Sequence, residues 1–271
     1  MPPSGSPFFA VDVGASWVKS GTVADGLAED VAREPVARGL EGLISQIARL
    51  RDAAGADTWG LCIAGLVDAA AGVLRYSANL DLRDAPLVEL LARTGSAPDV
   101  FANDLDAAAA GEARGGTLAL LQVGTGIAGR YVVDGRVVPS ATGLGGEVGH
   151  LRFRKGGLAC SCGNRGCAEA YGSWGGITRR SPGVEPAGLP PAVVTEAHEA
   201  IGFAAAALIA TCDPGTLRVG GGLAAAWGEP LLEAVRRELR ARVLPEVAAS
   251  TAVERTMLGD AAPLVGLAKL V

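Results

Sequence analysis

Three cysteines and a histidine crowd one stretch of the chain: His150, then Cys160-Ser161-Cys162-Gly163-Asn164-Arg165-Gly166-Cys167. Three thiolates and an imidazole are a common ligand set for tetrahedral zinc, and four protein ligands close the coordination shell. The zinc expected here is therefore structural, a staple rather than a holder of reactive water. Gly163 and Gly166 let the chain turn tightly around it. Glu147 precedes His150 by three residues and Glu169 follows Cys167 by two. The same loop is thus expected to fix two carboxylates and an imidazole in a small space. Ionised carboxylates only accept hydrogen bonds, which suits them to the hydroxyls of a polyol.

Glycine turns offer a second chemistry. Asp12-Val13-Gly14-Ala15-Ser16, Gly124-Thr125-Gly126 and Gly220-Gly221-Gly222 each follow an apolar run. Where no Cβ intervenes, backbone N–H groups can approach an anion, and Ser16 and Thr125 add hydroxyl donors. Asp12 is suited to hold Mg²⁺, directly or through water. One such turn is as well explained by a hairpin or bulge. Three, each at a strand end, favour phosphate. Neither G-x-x-x-x-G-K-[ST] nor a G-x-G-x-x-G opening a helix occurs, which argues against a P-loop enzyme and a dinucleotide fold.

The scaffold for these groups is read from hydrophobic periodicity. Strands are expected at residues 8–13, 18–23, 59–67, 100–102, 118–123, 129–133 and 217–219. Asp25-Gly26 is expected as a hairpin turn. Helices are expected at residues 40–54, 86–94, 105–113, 196–212 and 230–243. A strand, a glycine turn and a second strand open the chain near residue 8 and again near residue 118. That echo implies two related α/β lobes with a cleft between them, and ligands in α/β folds sit at strand ends.

The 271 residues are 49% apolar but only 4% aromatic, with 39 glycines, so the core must rely on small side chains in close contact. A net charge of −5 disfavours nucleic acid as a partner. The run Arg152, Arg154, Lys155 reads as a solvated loop. The N-terminal segment has no basic start, and Asp12 breaks its apolar run. Residues 201–212 form an apolar stretch too short to cross a bilayer. No export or anchoring is expected, and the expected location is the cytoplasm. Of the five cysteines, Cys62 and Cys212 stand alone and are expected in the core.

Taken together these segments resemble the ROK family of sugar kinases and sugar-responsive repressors, its bacterial glucokinases above all. The family's D-x-G-x-T stands at Asp12 to Ser16. Its G-x-x-x-P-G-x-V-D is Gly60 to Asp68, with Ala64 in place of proline. Its P-N-L is Ala78-Asn79-Leu80, and its N-D-x-N-A-A-A-x-G-E runs from Asn103 to Glu112. G-T-G-I-G appears as Gly124 to Ala128, G-E-x-G-H as Gly146 to His150, and C-x-C-G-x-x-G-C-x-E is complete from Cys160 to Glu169. G-G-G is Gly220 to Gly222, and Leu258 to Ala262 resembles the start of the family's last helix.

The resemblance implies an α/β, two-lobed, actin-like (ribonuclease H-like) sugar kinase fold with a zinc-binding loop. The first lobe would comprise residues 1–106 and 260–271. The second would comprise 107–259, with the zinc loop at 150–169. It implies an ATP-dependent hexokinase or glucokinase that phosphorylates glucose or a related hexose, at the 6-hydroxyl. Asp104 matches the general base, and Asn79, Asn103, Glu147, His150 and Glu169 match sugar-binding positions. The nucleotide falls to Asp12, Gly14, Ser16, Gly124, Thr125, Gly126, Gly221 and Gly222, and zinc to His150, Cys160, Cys162 and Cys167. ATP, Mg²⁺ and structural Zn²⁺ are the cofactors implied. A small sugar, a nucleotide and a second copy of the chain are the partners, with no nucleic acid or membrane.

Departures from the pattern leave the substrate open. Ser16-Trp17 replaces Thr-Lys, with Trp17 read as packing. Asp106 replaces Asn and adds charge beside Asp104. Asp81-Leu82-Arg83 lacks the family's aromatic, which admits an amino sugar such as kanosamine or glucosamine, or a cyclitol. The segment from Ser173 to Ile201 is short, which is expected to loosen selection of the nucleotide base among ATP, GTP and polyphosphate. A repressor would need a helix-turn-helix ahead of Phe8, where the sequence leaves no room. A non-catalytic sugar sensor is the remaining alternative, and Asp104 argues against it.

Overall fold

The computed structural model describes residues 7–271. The chain forms two compact units. One holds the residues up to Glu112, Pro139–Leu144 and Asp260–Val271; the other holds Ala113–Val138 and Gly145–Gly259.

Unit one is built on strands β1 (Phe8–Val13), β2 (Trp17–Ala24) and β3 (Leu27–Pro35), helix α1 (Gly39–Ala54) and strand β4 (Thr58–Ile63). Then follow β5 (Leu66–Asp68), β6 (Val73–Ser77), β7 (Leu82–Ala85), α2 (Leu87–Ala92), β8 (Val100–Asn103) and α3 (Asp104–Glu112). The main sheet has the order β3-β2-β1-β4-β8, and β5, β6 and β7 form a small sheet of their own. All six residues of β1 are buried, Asp12 among five apolar ones, as in a central strand whose sheet is covered on both faces. The hairpin turn falls at Asp25 and Gly26, both at positive φ. The strand expected over residues 59–67 is two strands. Gly65, at φ 139, ends one and turns the chain into β5.

Helix α3 explains the run of alanines. Ala107 to Ala110 are all buried against the last helix, α10 (Ala262–Lys269). A methyl group on Gly111 would overlap the carbonyl oxygen of Ala262, and one on Gly266 would overlap that of Ala107. The two helices therefore meet backbone to backbone, an approach only glycine permits. Lys269 closes the contact by donating from Nζ to the carbonyls of Ala110 (3.2 Å) and Gly111 (2.8 Å), groups a helix end leaves unpaired.

Unit two contains β9 (Thr117–Val123), β10 (Ile127–Val133), β11 (Arg136–Val137), a 3-10 turn at Val148–His150, α4 (Glu169–Gly172), α5 (Trp174–Arg180) and α6 (Pro191–Cys212). It continues with β12 (Thr216–Gly220), α7 (Gly222–Trp227), α8 (Glu229–Arg242), α9 (Pro245–Ser250) and β13 (Ala252–Arg255). Its sheet has the order β11-β10-β9-β12-β13. Read from the first strand of each unit, both sheets run third, second, first, fourth, fifth. In both the first three strands pair antiparallel and the last two add in parallel.

Helix α6 is longer than the periodicity suggests, because its polar first turns begin at Pro191. Among the described residues it is the one helix long and apolar enough to cross a membrane by length and composition. Here Ala197, Ala200, Ile201, Ala204, Ala205, Leu208 and Ile209 are wholly buried in the core of unit two. Cys212 is exposed, contrary to the core position expected, because it is the last residue of that helix. Trp17 is also no core residue: it is 39% exposed, with the Arg33 guanidinium stacked 4.1 Å above its ring. Arg154 is not simply solvated. It pairs with Glu196 and Glu199 and lies over the rings of Phe153 and Tyr171.

Candidate functional site

In unit two, the ligand atoms of His150, Cys160, Cys162 and Cys167 all lie within 4.8 Å of one another. His150 Nδ1 is 3.6 Å from Cys160 Sγ, and Cys162 Sγ is 3.7 Å from Cys167 Sγ. Zinc bonds of about 2.3 Å to sulfur and about 2.0–2.1 Å to nitrogen, at tetrahedral angles, separate ligand atoms by about 3.5–3.8 Å. The spacing fits that ion. Burial, then the neighbouring Cys162 and Cys160 sulfurs, push the Cys167 thiol up to about 12; a dication bound among them would let all three ionise. The loop is drawn together by Cys160 N–H donating to Asn164 O (2.9 Å) and Gly166 N–H to Leu158 O (2.7 Å).

The carboxylates stand against this cluster. His150 Nδ1 is 3.9 Å from Glu169 Oε1, and Nε2 is 3.9 Å from Glu147 Oε2. Glu169, at the start of α4, accepts from Ile127 N–H (3.0 Å) and Ser161 Oγ (3.3 Å). The Glu147 carboxyl is held above the ordinary range chiefly by burial, with Glu169 adding to the effect and Arg130 and His150 opposing it. Gly146 explains the glycine of G-E-x-G-H. It sits at φ 81, and a side chain there would overlap the carbonyl of Gly129, so only glycine lets the segment dock on β10.

The glycine turns of unit two line one cavity of about 360 Å³ with Trp174, Glu185, Pro186 and Leu223: Gly124 and Thr125 from the β9–β10 turn, and Gly222 from the start of α7. Gly126 is at the Glu169 end of the same turn, where a Cβ would meet Glu169 Oε2 at 2.7 Å. Gly221 links β12 to α7. The N–H of Gly124 is used by the turn itself, donating to Gly126 O (3.0 Å).

Unit one holds the remaining candidates. Asp12 is 4% exposed near the end of β1. Its Oδ2 takes Lys19 Nζ at 3.3 Å and its Oδ1 takes the Cys62 thiol at 3.6 Å. Burial nevertheless outweighs Lys19 and holds the Asp12 carboxyl above its ordinary range. The Gly14 N–H donates to Trp17 O (3.0 Å), which closes the turn, and Ser16 is exposed.

Asn103 caps α3. Its Oδ1 accepts from Leu105 N–H (2.9 Å) and Asp106 N–H (3.2 Å), and its Nδ2 donates to Gly65 O (2.8 Å). This is the N-cap bond that asparagine favours. Asp104 is the first residue of the helix, half-buried, with Oδ1 accepting from Leu105 N–H at 3.0 Å. Asn79 is exposed in the turn between β6 and β7.

Sequence reasoning missed Lys19, Trp174, Glu185, Pro186 and Leu223. Lys19 was findable, since a hairpin that pairs Val13 with Val18 places it opposite Asp12. The cavity residues come from separate segments, and no spacing announces them.

Residues 9–271 match the ROK family, and the chain belongs to it. The glucokinase of Halalkalibacterium halodurans is 29% identical over 243 residues, 76% of this chain and 73% of its own. The structure matches the ROK hexokinase of Thermus thermophilus at TM-score 0.80 and 29% identity, over 97% of each chain. It matches a ROK family glucokinase from Streptomyces griseus, in complex with glucose and AMPPNP, at TM-score 0.81 and 25% identity, over 98% of this chain and 99% of that one. A ROK family transcriptional regulator shares the fold at TM-score 0.82 and 19% identity.

Proposed function

We propose that this protein is an ATP-dependent sugar kinase that transfers the γ-phosphoryl group to a hydroxyl, the 6-hydroxyl, of glucose or a related hexose. The observation that carries this is the position of His150: its ring belongs to the metal-ligand quartet and stands 3.9 Å from a carboxylate on each side. A zinc staple would thus hold two hydrogen-bond acceptors and an imidazole at fixed spacing, an arrangement suited to the hydroxyls of a sugar ring. The glucokinase and hexokinase relatives support the same reaction class.

In this reading Glu147, His150 and Glu169 bind sugar hydroxyls, as does Asn79. Asn103 acts through its cap by fixing the start of α3, and so orients Asp104. Asp104 accepts the proton of the attacking hydroxyl as its oxygen bonds to the γ-phosphorus and the bond to the β-phosphate oxygen breaks. The turns at Gly14–Ser16, Gly124–Gly126 and Gly221–Gly222 hold phosphate oxygens, and Asp12 is the residue that would hold magnesium, directly or through water. Magnesium, when bound, supplies charge neutralisation across the β- and γ-phosphates. Most of the remaining acceleration comes from positioning.

The test is a panel of glucose, mannose, glucosamine and kanosamine with ATP, GTP and polyphosphate, scored for sugar phosphate. A regulator or sensor binds sugar and releases none. Uniform inactivity at high enzyme concentration would refute the kinase assignment.

A further inference from the structure

The cavity of unit two has two chemically distinct parts. Gly124, Thr125 and Gly222 present backbone and one hydroxyl, while Trp174, Pro186 and Leu223 present apolar surface, with Glu185 the charged residue of the lining. Its volume of about 360 Å³ falls within the range of small-ligand sites, about 300–1,000 Å³. A triphosphate chain alone has no use for the apolar part, whereas a nucleobase does.

Trp174 is tied to the glycine turn by main-chain bonds. Its N–H donates to Gly124 O (2.8 Å), and the next N–H, of Gly175, donates to Thr125 O (3.1 Å). Ser173, wholly buried, caps α5 by accepting from Gly176 N–H at 2.9 Å. The aromatic ring is therefore carried by the backbone that also presents the Gly124–Thr125 turn. Those bonds fix the main chain of Trp174 against the turn, and its side chain, partly buried, packs against the core of unit two, so the indole is held beside whatever the turn holds.

Resting on the kinase assignment above, we propose that Trp174 is the platform on which the nucleobase of the phosphoryl donor stacks. It is thereby the residue that selects a nucleoside triphosphate over a base-free polyphosphate. The short segment from Ser173 to Ile201 then leaves the base covered, because Trp174, Glu185 and Pro186 all come from it. An aromatic face accepts any purine, so the selection acts between base and no base more than between adenine and guanine.

The experiment compares wild type, Trp174→Leu and Trp174→Phe. Leucine keeps an apolar filler without a ring, and phenylalanine keeps a ring. Four readouts are taken: the KM for ATP, the KM for sugar, the inhibition constant of tripolyphosphate against ATP, and quenching of intrinsic fluorescence by ATP. Base–aromatic stacking predicts that Trp174→Leu raises the ATP KM about 5- to 150-fold, with Trp174→Phe in between. Tripolyphosphate inhibition and sugar KM stay within about twofold, and the ATP-dependent quench, carried by one of four tryptophans, disappears in both variants.

The proposal is overturned if the ATP KM moves less than about twofold in Trp174→Leu. Parallel weakening of ATP and tripolyphosphate also overturns it, since Trp174 would then merely prop the Gly124–Thr125 turn. Should Trp174→Leu fail to fold, Trp174→Phe decides: an undiminished quench by ATP rejects the platform. A wild type that binds ATP and phosphorylates sugar while these predictions fail loses only the platform. A wild type that binds no ATP loses the kinase assignment and the platform together.

Discussion

At the residue scale, Asp104 and Asp12 make opposite predictions. Asp104→Asn keeps the shape of the side chain and its bond to Leu105 N–H, but lacks the basic oxygen. Turnover is expected to fall by about 10²–10⁴, the usual contribution of a general base, with sugar affinity measured by calorimetry little changed. Asp12→Asn is expected to stabilise the fold. The folded-state pKa of Asp12 lies above its ordinary value near 3.8, chiefly through burial. Relative to the unfolded chain the group therefore destabilises more as pH rises from that value through the folded pKa, and the full cost persists at neutral pH. Melting temperatures should show a gain for Asp12→Asn at pH 7 that shrinks as pH falls through the raised folded pKa and is gone by the ordinary value of 3.8, alongside loss of magnesium-dependent turnover. An unchanged melting temperature at pH 7 would mean that Lys19 compensates the buried charge in full. Asp104 was legible as half of an Asn-Asp pair. What the letters did not reveal is that Asn103 spends its side chain on the α3 cap and on Gly65.

At the scale of elements, two segments hold the candidate groups in place. The zinc loop packs Cys160 and Cys167 into the core of unit two, while its tip, Cys162 and the residues up to Arg165, is exposed. Cys162→Ser should abolish stoichiometric zinc by metal analysis and lower the melting temperature, because the free energy of binding a structural ion is also folding free energy. Zinc-free wild type with full activity and the same melting curve would contradict this. At the crossing of α3 and α10, Gly266→Ala should destabilise by about 1–3 kcal/mol. The overlap is with backbone, which no rotamer change relieves; chemical denaturation checks it.

The elements that periodicity found are those with a buried apolar run, such as β1, β9 and α8. It missed β3, an edge strand whose residues are mostly exposed, four of the nine charged, and the brief strands β7 and β13. An edge strand can be polar on both faces because its partner strand, not the core, holds it. The Asn103–Glu112 motif is best understood at this scale too. Most of its letters serve helix capping and close packing, and Asp104 is the one to which the proposed kinase reading gives a chemical role.

At the scale of the whole molecule, low aromatic content and abundant glycine have a common outcome. Small side chains let α3 lie on α10 and let the Gly146 segment lie on β10, so contacts that larger residues would make by interdigitation are made by main chain. The kinship of the two units was anticipated from the recurrence of a strand, a turn and a second strand; their common strand order was not. Of the outermost strands β8 was expected, at residues 100–102, whereas β3, β11 and β13 carry no buried apolar run.

Unit one is assembled from both ends of the chain, since α10 supplies the surface on which α3 rests. Removal of that helix therefore opens unit one and leaves the sheet of unit two whole. A chain truncated after Gly259 should yield a protease-resistant fragment from unit two and none from unit one, whereas the full chain should protect both.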